Sequence, residues 1–535
     1  MYRILNARLV PQVPCQPLMS HEQPDVVLVQ VPKRNKKFLF DGNSLAALEV
    51  KGSLRTVKDL LDKELSPHFK ARYKPRFSAS STVMQKAINL VLEATHACNL
   101  ACKYCFVSLY YPDQVNHQDC ATMDFETAKR AIDRYLDLDQ PGAGVGFFGG
   151  EPMLNWSLIE KVTQYVIQKV KEGGKVCRSC GGSGRIQGAE CERCRGLGKM
   201  KPGLHITTNG TLFTSERVEF LEKHGYSLIV SIDGDEKCHN AYRPYRDGRP
   251  SFSKVMEGLK LLRGKRIAQS TTLRSTFTAD TSSPIAERLE FLNQLCDDNL
   301  ASWVSVEPAS LLEDSTGKDT HQEINIHNVW SIFEDQYLDA ADWWVKRARE
   351  EKKPRFHNVH KLLERILWCI HSGSECGAGR GYLSVNGKGE IFACHRESNT
   401  YIGHLDYGID EFLRSQWLEN RIYLRKHCMV CPIRYICGGG CREDSLGDTK
   451  DIRTPSPLDC MLKQLWFVSS LYILSELPKE VVVKYCIDPA TGSHKGSPCI
   501  CTPISPEQVK KDEFGHFLPD HLIYNVPSMC LVKEK

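Results

Sequence analysis

The stretch Cys98-Asn99-Leu100-Ala101-Cys102-Lys103-Tyr104-Cys105 places three cysteines within eight residues, directly after an apolar run from Ile88 to Leu92. Thiols this close, in a loop leaving a short apolar strand, suit a metal centre better than a structural disulfide. From Ala87 onward the chain alternates strand and helix patterns. Apolar strands are expected at Ile88–Ala94, Val145–Phe148, Leu204–Thr207, Leu228–Ile232, Leu273–Thr278 and Trp303–Val306. Helices are expected between them at Phe125–Asp137, Trp156–Lys171, Ser215–His224, Phe252–Arg263 and Ile285–Cys296. Six such units predict an α/β fold, a parallel sheet curled into a full or partial (β/α)6 barrel. Loops after the strand C-termini then form the active face.

The unusual motifs fall on that face. The cysteine loop follows strand one, Gly149-Gly150-Glu151-Pro152 follows strand two, Thr208-Asn209-Gly210 follows strand three, and strand four runs into Ser231-Ile232-Asp233-Gly234. Agreement of four motifs with four strand ends points to an enzyme site.

Composition sets the outer bounds. The chain has 535 residues, 25% charged and 41% apolar, ordinary globular usage for roughly three to four domains. A net charge of +5 without a long basic block gives no support for a nucleic-acid partner. Leu465 to Leu474 is too short to span a bilayer and is broken by Ser469 and Ser470. Met1 to Pro14 lacks the apolar core of a secretory signal. The expectation is a cytoplasmic chain with no membrane partner.

The 23 cysteines cluster as C-x-x-C and C-x-x-x-C pairs, a pattern of metal ligation. Between helix two and strand three lie Cys177-x-x-Cys180-x-Gly182-x-Gly184 and Cys191-x-x-Cys194-x-Gly196-x-Gly198. Two such knuckles can surround zinc tetrahedrally, with a second iron–sulfur cluster as the other occupant. The repeat resembles the cysteine-rich zinc repeats of J-domain chaperones. Its place in an α-to-β connection puts it at the barrel face opposite the chemistry, which favours a structural or partner-binding role. Farther on come Cys369, Cys376, Cys394, Cys428, Cys431, Cys437, Cys441 and Cys460. Eight thiolates suit two four-thiolate clusters or a pair of zinc ribbons, and count alone does not separate them. Cys486, Cys499, Cys501 and Cys530 are spaced irregularly among Pro, Gly and Ser.

The organisation expected is a small N-terminal strand-plus-helix module over 1–80, then the barrel over 87–310 with the cysteine insertion at 175–200. A helical linker (311–368), a cysteine-rich domain (369–465) and a C-terminal extension (466–535) complete it. In the N-terminal module, strands Val26–Val31 and Lys37–Phe40 precede a helical Thr56–Glu64 and a basic linker from Ser66 to Ser81. Aromatics in the helical Ile326–Ile370 segment, Trp330, Phe333, Tyr337, Trp343 and Trp344, read as core.

Cys98-x3-Cys102-x2-Cys105, with Tyr104 before the third cysteine, resembles the cluster loop of radical SAM enzymes. Gly149 to Pro152 resembles that family's methionine-binding segment. Cys376-x12-Gly389-x4-Cys394, then Cys428-x2-Cys431-x5-Cys437-x3-Cys441 and Cys460, resembles the SPASM pattern of auxiliary-cluster domains. The resemblance covers about residues 87 to 465. It implies a radical SAM partial barrel with a C-terminal SPASM domain. It also implies three [4Fe–4S] clusters, one of them open to S-adenosylmethionine because it has only three cysteine ligands. That group would release a 5′-deoxyadenosyl radical.

By the same resemblance Gly149, Gly150, Glu151 and Pro152 would engage the methionine amine, and Tyr104 would lie near the adenine. Thr208, Asn209, Gly210 and Ser231 would contact ribose or carboxylate, and Arg243 and Arg274 would pair with the carboxylate. Cys369, Cys376, Cys394 and Cys441 would hold one auxiliary cluster; Cys428, Cys431, Cys437 and Cys460 would hold the other. Sulfatase-maturing relatives carry Asp where this chain has His395, in Cys394-His395-Arg396-Glu397. A cysteine–histidine pair looks more like peptide maturases that join cysteine sulfur to carbon. Those imply a ribosomal precursor peptide whose leader adds a strand to the N-terminal module, and an electron donor such as flavodoxin or ferredoxin. Formylglycine formation on a sulfatase, carbon–carbon crosslinking and a non-catalytic metal scaffold are the rival readings.

Overall fold

The computed structural model describes residues 3–6, 26–31, 34, 36–42, 47–49, 89–110, 122–137, 143–278, 283–309, 326–367, 371–396, 400–418, 421–429 and 431–486. The chain divides into two compact units. One takes residues 1–82, 324–376 and 419–535; the other takes 83–323 and 377–418.

In the first unit, β1 (Arg3–Asn6), β2 (Val26–Val31), β3 (Lys36–Asp41) and β4 (Ala47–Glu49) form a sheet in chain order. β1 pairs parallel to β2, and the other pairings are antiparallel. The expected Thr56–Glu64 helix and the basic linker lie outside the described residues. The sheet packs on the long helix Pro457–Glu476, where Phe40 meets Phe467 edge-on at 4.7 Å. Arg34 Nε donates to Asp342 at 3.1 Å, and Tyr472 holds the other oxygen of that carboxylate at 2.6 Å. The stretch expected as one helix is two, Ile326–Arg349 and His357–Leu367. Pro354, which cannot donate to a helix, and Glu351 at φ 58° account for the break. Phe333, Tyr337 and Trp344 are buried there, as core aromatics. Among the described residues no helix is long and apolar enough to cross a membrane.

The second unit holds the expected βα units. β5 (Asn89–Thr95), β6 (Gly144–Gly149), β9 (Gly203–Thr208), β10 (Tyr226–Ser231), β11 (Thr271–Phe277) and β12 (Trp303–Pro308) are all parallel, each beside its predecessor. A singly wound order of this kind is that of an open, partial barrel. The two-residue strands β7 (Arg185–Ile186) and β8 (Ala189–Glu190) pair only with each other, within the cysteine insertion. Local chemistry explains the helices. Asp124 and Thr214 accept from Thr127 N–H and Arg217 N–H as N-caps, and Gly225 closes Ser215–His224 in the left-handed region. One extension is absent from the expectation. β13 (Tyr382–Val385) adds parallel to β5, and β14 (Glu390–Phe392), β15 (Tyr401–His404) and β16 (Gly408–Ile409) continue antiparallel. Ser384 donates to buried Glu93 across that seam at 2.8 Å.

In the first unit Glu375 ties the helix His357–Leu367 to the neighbouring cysteine loop. It pairs with Arg365 and Lys361, while Arg365 also donates to the Ile436 carbonyl. Burial alone would push this carboxyl up, but the two cations override it and hold its pKa at about 2. Its native pKa thus lies below the unfolded value, so the ion pairs stabilise fully above about pH 4.5. Glu375→Gln should therefore lose up to about 3 kcal/mol at neutral pH. Unfolding midpoints of the two chains should converge as pH falls from about 4.5 towards 2.

Candidate active site

The strand-end motifs converge in the second unit, and backbone geometry makes them do so. Gly150 N–H donates to the Thr95 carbonyl and Glu151 N–H to the Ala97 carbonyl, both at 2.8 Å, so the second motif is stitched to the cysteine loop. Only glycine allows this approach. A Cβ on Gly149, at φ 129°, would stand 2.2 Å from the Thr95 oxygen, and one on Gly150 would stand 2.3 Å from that of Ala97.

Glu151 carries the connection to the next strand. Fully buried, its carboxylate accepts from Met153 N–H at 3.0 Å, Thr208 Oγ1 at 2.8 Å and Asn209 N–H at 2.7 Å. Burial raises its pKa to about 7, against those three donors. Asn209 Nδ2 in turn donates to Asn99 at 2.8 Å and lies 3.9 Å from Cys98 Sγ. Asn99 Nδ2 reaches Thr211 at 2.8 Å, closing a polar ring.

The other side of the cysteine loop lies along residues 242–246. Ala101 N–H donates to the Pro244 carbonyl at 2.8 Å, Lys103 N–H to that of Tyr242 at 3.0 Å, and Arg246 Nε to that of Cys98 at 2.6 Å. Tyr104 stacks on Tyr242 and donates its hydroxyl to the Asp233 carboxylate. Arg243 lies 5.2 Å over the Tyr104 ring, with Nε 3.0 Å from Asp233 Oδ1 and Nη1 3.9 Å from Cys102 Sγ. Arg243 is thus an ion-pair partner of Asp233 beside the loop. Arg288, 1% exposed, donates to the Asp233 and Thr276 carbonyls from behind, at 3.1 and 2.9 Å.

Burial pushes Cys102 up to about 12 although Arg243 opposes it, and burial raises Cys98 as well.

β11 and β13 flank the same face. Arg274 is exposed, and its charge adds to burial in lowering the His395 pKa to about 3. His395 Nδ1 hydrogen-bonds the Tyr382 hydroxyl at 2.6 Å, and its ring meets Phe148 at 4.5 Å. Ser231 ends β10, half-buried. Asn99, Arg288 and Tyr382 were missed in the sequence. Asn99 sits inside the quoted stretch, where its amide was a usable signal; Arg288 looks like any charge on an amphipathic helix.

In the first unit Cys428, Cys431, Cys437 and Cys460 line one cavity together with Asp459 and Lys463. Cys376 and Cys441 belong to that unit and Cys394 to the second, while Cys369 lies outside the described residues. In the insertion, Cys177, Cys180, Cys191 and Cys194 bring their sulfurs within 4.8 Å of one another. Cys486 is buried; Cys499, Cys501 and Cys530 lie outside the described residues.

Residues 92–292 match the radical SAM superfamily model. This chain carries a radical SAM domain. An uncharacterized protein of Methanocaldococcus jannaschii is 32% identical over 39% of this chain, and the match spans 58% of that protein's length. The radical SAM cyclopropyl synthase TigE of Paramaledivibacter caminithermalis is 23% identical, over 66% of this chain and 67% of its own. The serine-type anaerobic sulfatase-maturating enzyme of Klebsiella aerogenes is 23% identical, over 64% and 77%. Among solved structures, anSMEcpe with bound AdoMet has the same fold, with TM-score 0.54, 17% identity, and coverage of 74% of this chain and 97% of that one. The cysteine loop, the glycine motif, Asn209 and Arg243 all lie inside the radical SAM domain.

Arg243→Leu leaves Asp233 a buried charge without its cation, a change costing about 3–5 kcal/mol. The unfolding midpoint and the iron retained per chain should both fall, and Arg243→Leu combined with Asp233→Asn should recover part of each.

Proposed function

We propose that the chain is a radical SAM peptide maturase that forms a cysteine-to-carbon thioether in a precursor peptide. The observation that carries the radical step is the Cys98–Cys105 loop. It offers three thiols at the C-terminal end of β5, stitched to Gly150 and Glu151. Three thiols suit a [4Fe–4S] cluster with one iron open, and the donors beside them, Asn209 and Arg243, suit its negative sulfurs. When bound, that cluster and S-adenosylmethionine supply one-electron chemistry able to remove hydrogen from an unactivated carbon.

The chain's own residues hold and orient. Cys98, Cys102 and Cys105 would ligate the cluster. Gly149 to Pro152, whose backbone passes close to the loop, would face the methionine end of the cofactor, with Thr208 to Gly210 and Ser231 beside it. The Glu151 side chain is already engaged by three donors, so in this reading it shapes the motif from behind. Tyr104, fixed by Asp233 and Tyr242, would wall the adenine side. Arg274 is exposed on the sheet face and is the freer of the two arginines for a carboxylate.

A peptide substrate is supported by what relatives do: TigE is a cyclopropyl synthase, the Klebsiella enzyme matures sulfatases, and anSMEcpe has been solved with AdoMet and the Cp18Cys peptide. Thioether formation rests on the Cys394–His395 pair. Burial keeps His395 neutral, and its partner is the Tyr382 hydroxyl. The eight distal cysteines would hold two auxiliary clusters that take up the electron left over. Cys428, Cys431, Cys437 and Cys460, which share a cavity, form the better supported set. The N-terminal sheet would receive the leader at a strand edge, and a flavodoxin or ferredoxin would supply electrons. Formylglycine formation is the second reading, supported by the match to the Klebsiella enzyme.

Reduced, reconstituted protein should convert S-adenosylmethionine to 5′-deoxyadenosine. Cys98→Ala, Cys102→Ala or Cys105→Ala should each bring that conversion to background, and conversion intact in the triple variant would sink the reading. With a cysteine-bearing precursor, each thioether should remove two hydrogens and one free thiol. Loss of hydrogens with every thiol retained would instead mean a carbon–carbon link or a formylglycine made from serine.

A further inference from the structure

We propose that Cys177, Cys180, Cys191 and Cys194 bind one zinc ion in a closed tetrathiolate site that holds the insertion folded and takes no part in the radical chemistry. Sulfur spacing selects a single ion. Four thiolates about 2.3 Å from zinc stand roughly 3.8 Å apart at tetrahedral corners. Cys180 and Cys194 are 3.7 Å apart and Cys177 and Cys191 4.0 Å, with all four inside 4.8 Å. A disulfide would need about 2.05 Å. A four-iron cluster puts each thiolate on a separate iron and spreads them farther.

The backbone repeats itself around that point. Cys177 N–H donates to the Gly198 carbonyl and Cys191 N–H to that of Gly184, both at 2.9 Å. Ser183 N–H donates to the Cys180 carbonyl and Leu197 N–H to that of Cys194, both at 3.1 Å. The two knuckles therefore make the same bonds in exchange, each clasping the other. The clasp depends on glycine. A Cβ on Gly184 would stand 2.4 Å from the Gly196 oxygen, and one on Gly198 would stand 2.3 Å from that of Gly182.

The insertion has no other core. Cys177, Cys191 and Cys194 form its buried cluster, with Cys180, Leu197 and Met200 packed partly against it, while Val176 and Ile186 are exposed. So few apolar side chains cannot offset the entropy of ordering the loop, and a bound metal supplies that free energy. Four protein thiolates leave no open position for substrate. The site also precedes β9 at Gly203, whereas the residues facing the cysteine loop, Thr208 to Gly210, lie at the far end of that strand. Lys201, donating to the His224 carbonyl, ties the insertion's base to the barrel.

The full chain, purified with its iron–sulfur complement, should contain one equivalent of zinc. Cys180→Ser with Cys194→Ser should remove it while iron content and S-adenosylmethionine cleavage stay at the parent level. Misfolding would also lose zinc, so the unaltered chain carries a second measurement. Exchange with cobalt(II) should give the intense visible absorption of a tetrahedral tetrathiolate, and these four cysteines should resist alkylation until a chelator is added. Zinc retained in the double variant would overturn the proposal. So would a native chain without zinc and without the cobalt spectrum, or loss of an iron–sulfur signal when the four cysteines are replaced.

Discussion

The buried carboxylate of Glu151 is the interaction on which the active face depends. Its neighbours' backbone binds the end of β5, and its own oxygens bind the turn after β6 and the end of β9. Three strand C-termini are thereby fixed to one another without any side chain of the cysteine loop being used. In the proposed reading the loop keeps its three thiols for a metal, and Asn209, positioned by the same carboxylate, reaches towards Cys98. Burial opposes the charge on Glu151, so the arrangement persists only because three donors converge on it. The second anchor, Asp233 with Tyr104 and Arg243, fixes the loop's other edge and places a cation beside Cys102.

The chain uses cysteine in contrasting ways, and geometry separates them. Three thiols on a loop bounded by polar donors would leave a cluster one vacant ligand position, as the proposed activation of S-adenosylmethionine requires. Four thiols converging inside a glycine clasp leave none, which is what structural support requires. In the proposed reading the four cysteines that share one cavity, Cys428, Cys431, Cys437 and Cys460, would hold a closed cluster suited to electron transfer.

Much of this was legible because local signals agreed with the fold. The expected strands and helices of βα units one to six match the observed ones to within a few residues, since apolar period and strand-end motifs pointed the same way. The β13–β16 extension was not legible: its strands are two to four residues long, and β13 joins β5 from almost 300 positions away. The break at Pro354 was written in the sequence but outweighed by a long helical period on either side. In the site, cysteine spacing announced the ligands, whereas the roles of Asn99 and Arg288 depend on contacts between distant segments. Arg243 was singled out for its charge; only the fold pairs it with Asp233.

The open-iron claim is tested most directly by electron paramagnetic resonance of the reduced, reconstituted chain before and after S-adenosylmethionine is added. The account predicts that one cluster signal changes on addition, that this signal is missing when Cys98, Cys102 and Cys105 are replaced, and that the remaining cluster signals persist. A spectrum indifferent to S-adenosylmethionine in the intact protein would contradict it.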